Sequence, residues 1–159
     1  MIWGEKNDYL LEKKSMNNKG LIDSNIFIYA HDIRSPFFTV THAFLSNQIQ
    51  KNGIIITSQI LLETYRILTQ KIKKPLSTKN ALQIVDYYLS HPNVTLVSPS
   101  HKAIIITGKL ASKYAVSGVH IFDTYLVGTM IEAGITTIYS ANVKDFSIYK
   151  EINVINPCK

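Results

Sequence analysis

Cysteine is almost absent from this chain of 159 residues: Cys158 stands alone. A single thiol forms no intramolecular disulfide and builds no cysteine-based zinc site, and without a paired base in sequence it makes no case for a thiol enzyme. A reducing cytosol is the compartment that fits. Long apolar runs are missing too, since none reaches the roughly 18 to 20 residues that a membrane helix needs. The first 19 residues include Glu5, Lys6, Asp8, Glu12, Lys13, Lys14 and Lys19 and hold no apolar stretch of the secretory kind. The expectation is a cytoplasmic protein with no membrane segment. No glycine-rich phosphate loop follows the first apolar run, which argues against a dinucleotide-binding domain. No internal repeat and no low-complexity tract is present.

What the chain does have is a core. With 46% hydrophobic residues and the length of one ordinary domain, it can bury a substantial interior. Its 17 Lys and Arg outnumber its 11 Asp and Glu, giving a formal charge of +6, a surplus that favours a polyanionic partner such as nucleic acid.

Residues 1–19 are polar and charged apart from Ile2, Trp3 and the cluster Tyr9-Leu10-Leu11, and they read as an N-terminal extension, disordered or a helical appendage. Met16, just before the first strong apolar run, is a candidate native start. The domain proper is expected over 20–157. From Gly20 onward, short β-branched runs alternate with longer segments of helical period, the pattern of βα units around a mainly parallel sheet. Five strands are predicted, at Gly20 to Asp23, Ile54 to Thr57, Val94 to Val97, Thr136 to Tyr139 and Ile152 to Ile155. Helices are predicted over Phe37 to Lys51, Ser58 to Ile72 with Ser58 as N-cap, Ser77 to Ser90, Ser100 to Tyr114 and His120 to Ala133. In the last, Ile121, Phe122, Tyr125, Leu126, Met130 and Ala133 recur as a buried face, and Gly134 is placed for the left-handed position that ends it.

The acids carry the chemistry. Asp23 closes the first strand inside the apolar run Leu21 to Phe27, where an ionised carboxylate is costly unless something neutralises it. Its bland reading is a cap on the next turn. Glu63 shares a helical stripe with Ile60 and Ile67 and is not in capping-box position, because the residue three after Ser58 is Leu61. A surface ion pair with Arg66 is its bland reading. Asp123 sits in the first turn of its helix, where the macrodipole favours an acid whatever the protein does. Taken together, Asp23, Glu63, Ser140 and Asn142 follow directly on predicted strands, at the edge where open parallel sheets bind ligands, and Asp123 opens the helix leading to the fourth strand. Converging carboxylates raise one another's pKa unless a cation intervenes. All-oxygen ligands, with no cysteine and no evident histidine pair, select Mg²⁺ or Mn²⁺ over zinc.

Four stretches match something known: Leu21-Ile22-Asp23-Ser24-Asn25-Ile26, Ser58-Gln59-Ile60-Leu61-Leu62-Glu63, Phe122-Asp123 with the helix after it, and Ser140-Ala141-Asn142-Val143-Lys144-Asp145-Phe146. In this order and spacing the chain resembles the PIN-domain nucleases, particularly the small VapC-type toxins of toxin–antitoxin pairs. The resemblance implies a single α/β domain, a doubly wound sheet of about five mainly parallel strands flanked by helices, with a metal held by Asp23, Glu63 and Asp123. It further implies an endoribonuclease that hydrolyses phosphodiester bonds, a homodimer, and inhibition by a cognate antitoxin. Asn142 stands where many members carry a fourth acid, with Asp145 three residues on. Asn25, Ser140 and Asp145 are expected to support the site, Ser140 standing where the family often has Thr.

For RNA contacts the candidates are Arg34, Arg66, Lys71, Lys73 and Lys74, and the stripe Lys102, Lys109 and Lys113. His31 is a further candidate for approaching a phosphate, and His120 lies next to the acids. Tyr87-Tyr88 belongs with core or interface packing before base stacking. Two rival readings stand beside the nuclease. One is a catalytically weak PIN-like module that binds RNA or protein, suggested by Asn142. The other is an aspartate-nucleophile phosphatase, which wants a second carboxylate where the chain has Asn25.

Overall fold

The computed structural model describes residues 19–159. The expected extension over 1–19, apart from Lys19, and the candidate start at Met16 lie outside the described residues. Five strands form one sheet: β1 (Leu21–Ile22), β2 (Ile54–Thr57), β3 (Val94–Val97), β4 (Thr137–Tyr139) and β5 (Asn153–Ile155). Their order is β3-β2-β1-β4-β5, and every neighbouring pair is parallel. The helices are α1 (Ser24–His31), α2 (Phe38–Lys51), α3 (Ser58–Gln70), α4 (Thr78–Ser90), α5 (His101–Tyr114), α6 (Ile121–Ala133) and the single-turn α7 (Val143–Phe146), with a 3₁₀ turn at Gly118–His120.

The three central strands read as near-continuous Leu and Ile because both faces of the sheet are covered. Leu21, Ile22, Ile54, Ile55, Ile56 and Ile138 are all fully buried. Around them, α1 packs on α2 and α3, and α5 packs on α6. The last contact is unusually close: a Cβ added at Gly128 of α6 would come 2.5 Å from Thr107 Oγ1 and 2.9 Å from the Ala103 carbonyl, both on α5. The order of strands reverses at β1, whose neighbours are β2 on one side and β4 on the other, so the crevice outside the carboxyl ends of β1 and β4 is the topological switch point.

Three expectations are corrected. The chain turns directly into α1 after β1, where no helix was predicted. Ile26, Phe27, Ile28 and Ala30 bury it on nearly every side, so it lacks the amphipathic period that betrays a surface helix. Thr57, not Ser58, caps α3, its hydroxyl accepting from the Ile60 N–H. Phe122, assigned to the buried face of its helix, is 63% exposed, because it lies in the first turn, ahead of the stretch Leu126 to Met130 that is buried on all sides. Other local signals hold: Ser100 caps α5 by accepting from Lys102 N–H, and Gly134 ends α6 at φ 71°. No helix among the described residues is long and apolar enough to cross a membrane.

Candidate active site

The carboxyl end of β1 delivers Asp23 into the crevice, and a parallel ladder fixes it there: its N–H donates to the Tyr139 carbonyl at 3.0 Å, tying it to the end of β4. The side chain does two things at once. Oδ1 accepts from the Ser24 N–H at 2.7 Å, capping α1, while Oδ2 accepts from Ser140 Oγ and from Asn25 Nδ2, each at 2.7 Å. The capping reading of Asp23 holds, and its second oxygen is free of the cap and held in the crevice. Asn25 in turn donates to Ser140 Oγ at 3.1 Å and accepts from the Ala141 N–H, and Ser140 Oγ accepts from the Asn142 N–H at 2.9 Å. This closed network stitches the start of α1 to the loop after β4.

Glu63 reaches the same crevice from α3. Ser24 Oγ donates to Glu63 Oε2 at 3.0 Å and lies 3.5 Å from Asp23 Oδ1, so one hydroxyl stands between two acids. Glu63 also lies 3.7 Å from Arg66 at the exposed rim, so its expected ion pair coexists with its place in the crevice. Asp123, in the first turn of α6, forms a second group. An oxygen of Asp123, an oxygen of Asp145 and a ring nitrogen of His120 all lie within 4.8 Å of one another.

Electrostatics joins the two groups. Burial pushes the Asp23 carboxyl up to about 6; the hydrogen bonds of Ser140 and Ser24 oppose this, and the charges of Glu63 and Asp123 add to it. The Asp123 carboxyl is raised as well, first by burial, then by Asp145 and Glu63, with His120 pulling the other way. A half-sequestered set of carboxylates that destabilise one another suits a divalent cation, and its oxygen donors suit a hard one. The residues present fit such an ion.

The family model of the PIN domain matches residues 20–151. This chain belongs to the PIN-domain family. No curated protein matches its sequence. Among solved structures, a chain of VapBC2 from Rickettsia felis, bound to a DNA fragment from its promoter, is 20% identical with a TM-score of 0.62 over 86% of this chain and 96% of that one. A chain of DNA-bound VapBC from Salmonella typhimurium is 18% identical, with a TM-score of 0.63 over 88% and 98%. VapC20 of Mycobacterium tuberculosis, a toxin that cleaves the sarcin-ricin loop, is 11% identical, with a TM-score of 0.61 over 83% and 97%. At these identities the likeness shows the PIN fold.

Within the PIN frame, Asp23, Glu63 and Asp123 come to one crevice. Asn142, expected at the fourth corner, is exposed; its amide donates to the Asp145 carboxylate, and it is Asp145 that meets Asp123. Ser24 was not singled out in the sequence, though a hydroxyl at the first position of an acid-capped helix is the signal that would have found it. The cations divide. Arg66 stands beside Glu63, while Arg34 and Lys74 line another cavity of about 400 Å³ between the α1–α2 and α3–α4 connections. Lys71 and Lys73 are exposed after α3. On α5, Lys102 and Lys109 are exposed and Lys113 is held by Glu151 at 2.7 Å. His31 is half-buried in the wall of the cavity that Arg34 and Lys74 line; its ring bonds Tyr88 Oη at 2.8 Å, and desolvation pushes its pKa down to about 4, which disfavours the charged form that would hold a phosphate. Tyr88 packs edge-on against Phe27 in the core, whereas Tyr87 is exposed.

Proposed function

We propose that this PIN protein is a divalent-metal-dependent endoribonuclease and the toxin of a toxin–antitoxin pair. One observation carries the reading: Asp23 is clamped at the sheet's switch point by Ser24, Asn25 and Ser140, with Glu63, Asp123 and Asp145 facing the same crevice. Asp23, Glu63 and Asp123 would hold a Mg²⁺ or Mn²⁺ ion. When bound, such an ion supplies Lewis acidity towards a phosphodiester oxygen and towards the attacking water.

The chain's own residues do the rest. Ser140 favours the ionised form of Asp23 against its burial, and Ser140 and Asn25 together aim the carboxylate, so that it is ready without rearrangement. Asn142 orients Asp145 in the same way. Arg66, at the rim, offsets a backbone phosphate beside the acids. Hydrolysis of this kind makes no use of the 2′-hydroxyl; the preference for RNA rests on the family and on the similar toxins. An antitoxin partner rests on the toxin–antitoxin complexes among the similar structures. A homodimer is part of the same proposal. Leu62 and Phe122, 70% and 63% exposed, stand on helices joined by the Gln59 to Phe122 carbonyl contact, and they leave an apolar surface beside the crevice.

The rival binding module drew on Asn142; the acid Asp145 beside Asp123 supports the nuclease reading over it. Induced expression tests the proposal. Wild type should arrest growth and cut a structured RNA panel only with Mg²⁺ or Mn²⁺, and Asp23→Asn and Asp123→Asn should do neither. Equal toxicity in all three would sink nuclease action as its cause.

A further inference from the structure

Beside Asp123 and Asp145 lies a cavity of about 280 Å³ that metal binding leaves unexplained. Three segments wall it: Tyr114 to Ser117 at the end of α5, His120 and Asp123 at the start of α6, and Lys144, Asp145, Ile148 and Tyr149 in and after α7. We propose that this cavity receives one unstacked base of a single-stranded RNA, adjacent to the phosphate being cut. The inference rests on the ribonuclease reading and names the form of substrate the site takes.

The walls are built to stay open. Ala115 holds φ 51° and ψ 43°, making it the one non-glycine residue with positive φ among the described residues, a left-handed conformation that L-residues rarely adopt. The N–H groups of Ala115 and Val116 both turn back to the Ala111 carbonyl, which swings Val116 and Ser117 across the cavity's edge. Opposite them, Tyr149 is buried with its hydroxyl 2.8 Å from Thr124 Oγ1, and its ring meets Tyr114 edge-on at 5.2 Å. Tyr114 is itself anchored by donating to Glu151 Oε2 at 2.9 Å. None of these groups needs to move for a flat ligand to enter, and a preformed pocket spends little ordering energy on binding.

The lining selects a base over other parts of RNA. Ile148, 44% exposed, and Val116 offer apolar surface to a π-face, while Ser117 and Lys144 supply polar contacts at the edge. A base paired and stacked within a duplex cannot turn out into the cavity, whereas one in a loop or single strand can. Because Asp123 and Asp145 belong to both the cavity and the acidic group, a base seated here sets its own backbone phosphate at the acids with only its ribose between.

Single-stranded octaribonucleotides test this with the full chain. An abasic residue on one side of the cleaved bond should raise KM about tenfold, and the same change on the other side should matter little. Ile148→Trp, which fills the cavity, should cost the intact RNA the same factor and the abasic RNA nothing further; Ile148→Ala should fall between. Thermal melting checks that both variants fold. Asp23→Asn gives a readout apart from cleavage: an RNA with 2-aminopurine at that position should brighten on binding, and Ile148→Trp should abolish the rise. Additive losses, or an abasic penalty that ignores position, overturn the base site. Brightening without cleavage by wild type would remove the nuclease and leave the base site; cleavage indifferent to Ile148 and to the base would do the reverse. An RNA neither bound nor cut would overturn both.

Discussion

Asp23 and Asp123 face one crevice from differently constructed supports. Asp23 is 8% exposed, sits between a strand and a helix it caps, and accepts from Ser24, Asn25 and Ser140. Asp123 is only half-buried, on the first turn of a helix entered through a 3₁₀ turn, grouped with exposed His120 and with Asp145 from a single-turn helix. The first side is a rigid bracket at the centre of the sheet. The second is held by short elements at its periphery and faces the cavity.

Breaking the bracket should give the largest effect. Asp23→Asn retains a cap for α1, since Asn caps as well as Asp, yet removes a metal-binding charge. RNA cleavage should fall on the order of 10³-fold with the circular dichroism spectrum unchanged. On the peripheral side, Asp145→Asn should cost about 100-fold and Asn142→Ala a few-fold, measured under single turnover. An equal loss from both would mean that Asn142, not the acid it orients, holds that corner.

The bracket should also show itself in stability. The Asp23 carboxyl is raised from 3.8 in the unfolded chain to about 6 in the folded one, so the folded state takes up its proton more readily. Its stabilising contribution is full below pH 3.8 and is lost as pH rises through 6. Without divalent ions, wild type should lose roughly 2 kcal/mol relative to Asp23→Asn between pH 4 and 7 in denaturant titrations. Added Mn²⁺ should restore much of this at pH 7 and little at pH 4. A flat difference across that range would contradict the burial of an ionisable Asp23.

Ser140→Ala should reduce cleavage about 10- to 100-fold and move the acid limb of the pH profile upward, because the Ser140 hydrogen bond holds the Asp23 pKa down. The smallest effect belongs to the rim. Arg66→Ala should raise KM a few-fold and lessen the slope of log K against log salt by about 1, leaving the rate at saturation near wild type.

Much of the architecture was legible because parallel βα units write themselves in alternating periods. β2 and β3 fell where the Ile- and Val-rich runs placed them, and α2, α4, α5 and α6 were found to within a residue at each end. α1 was hidden because a short helix buried on most sides has no polar face to set its period. Asp23 and Glu63 could be singled out because a carboxylate at a strand end or on an apolar stripe is conspicuous, whereas Asp123, an acid in a first helical turn, drew notice only beside them. Asp145 was harder to weigh. Counting from the strand pointed at Asn142, and only the single turn of α7 brings the acid three residues on back towards Asp123. The cavity was illegible, because it depends on Ala115 adopting a conformation that its residue type does not advertise.

Gly128 acts at a distance from all of this chemistry. It seats α6 against Ala103 and Thr107 of α5 with no room for a side chain. The start of α6 carries Asp123, and the end of α5 leads into Ala115 and Val116. The missing Cβ therefore works as a gauge: the gap between an acid and the wall facing it is measured off from a contact between two helices, neither partner of which touches the substrate.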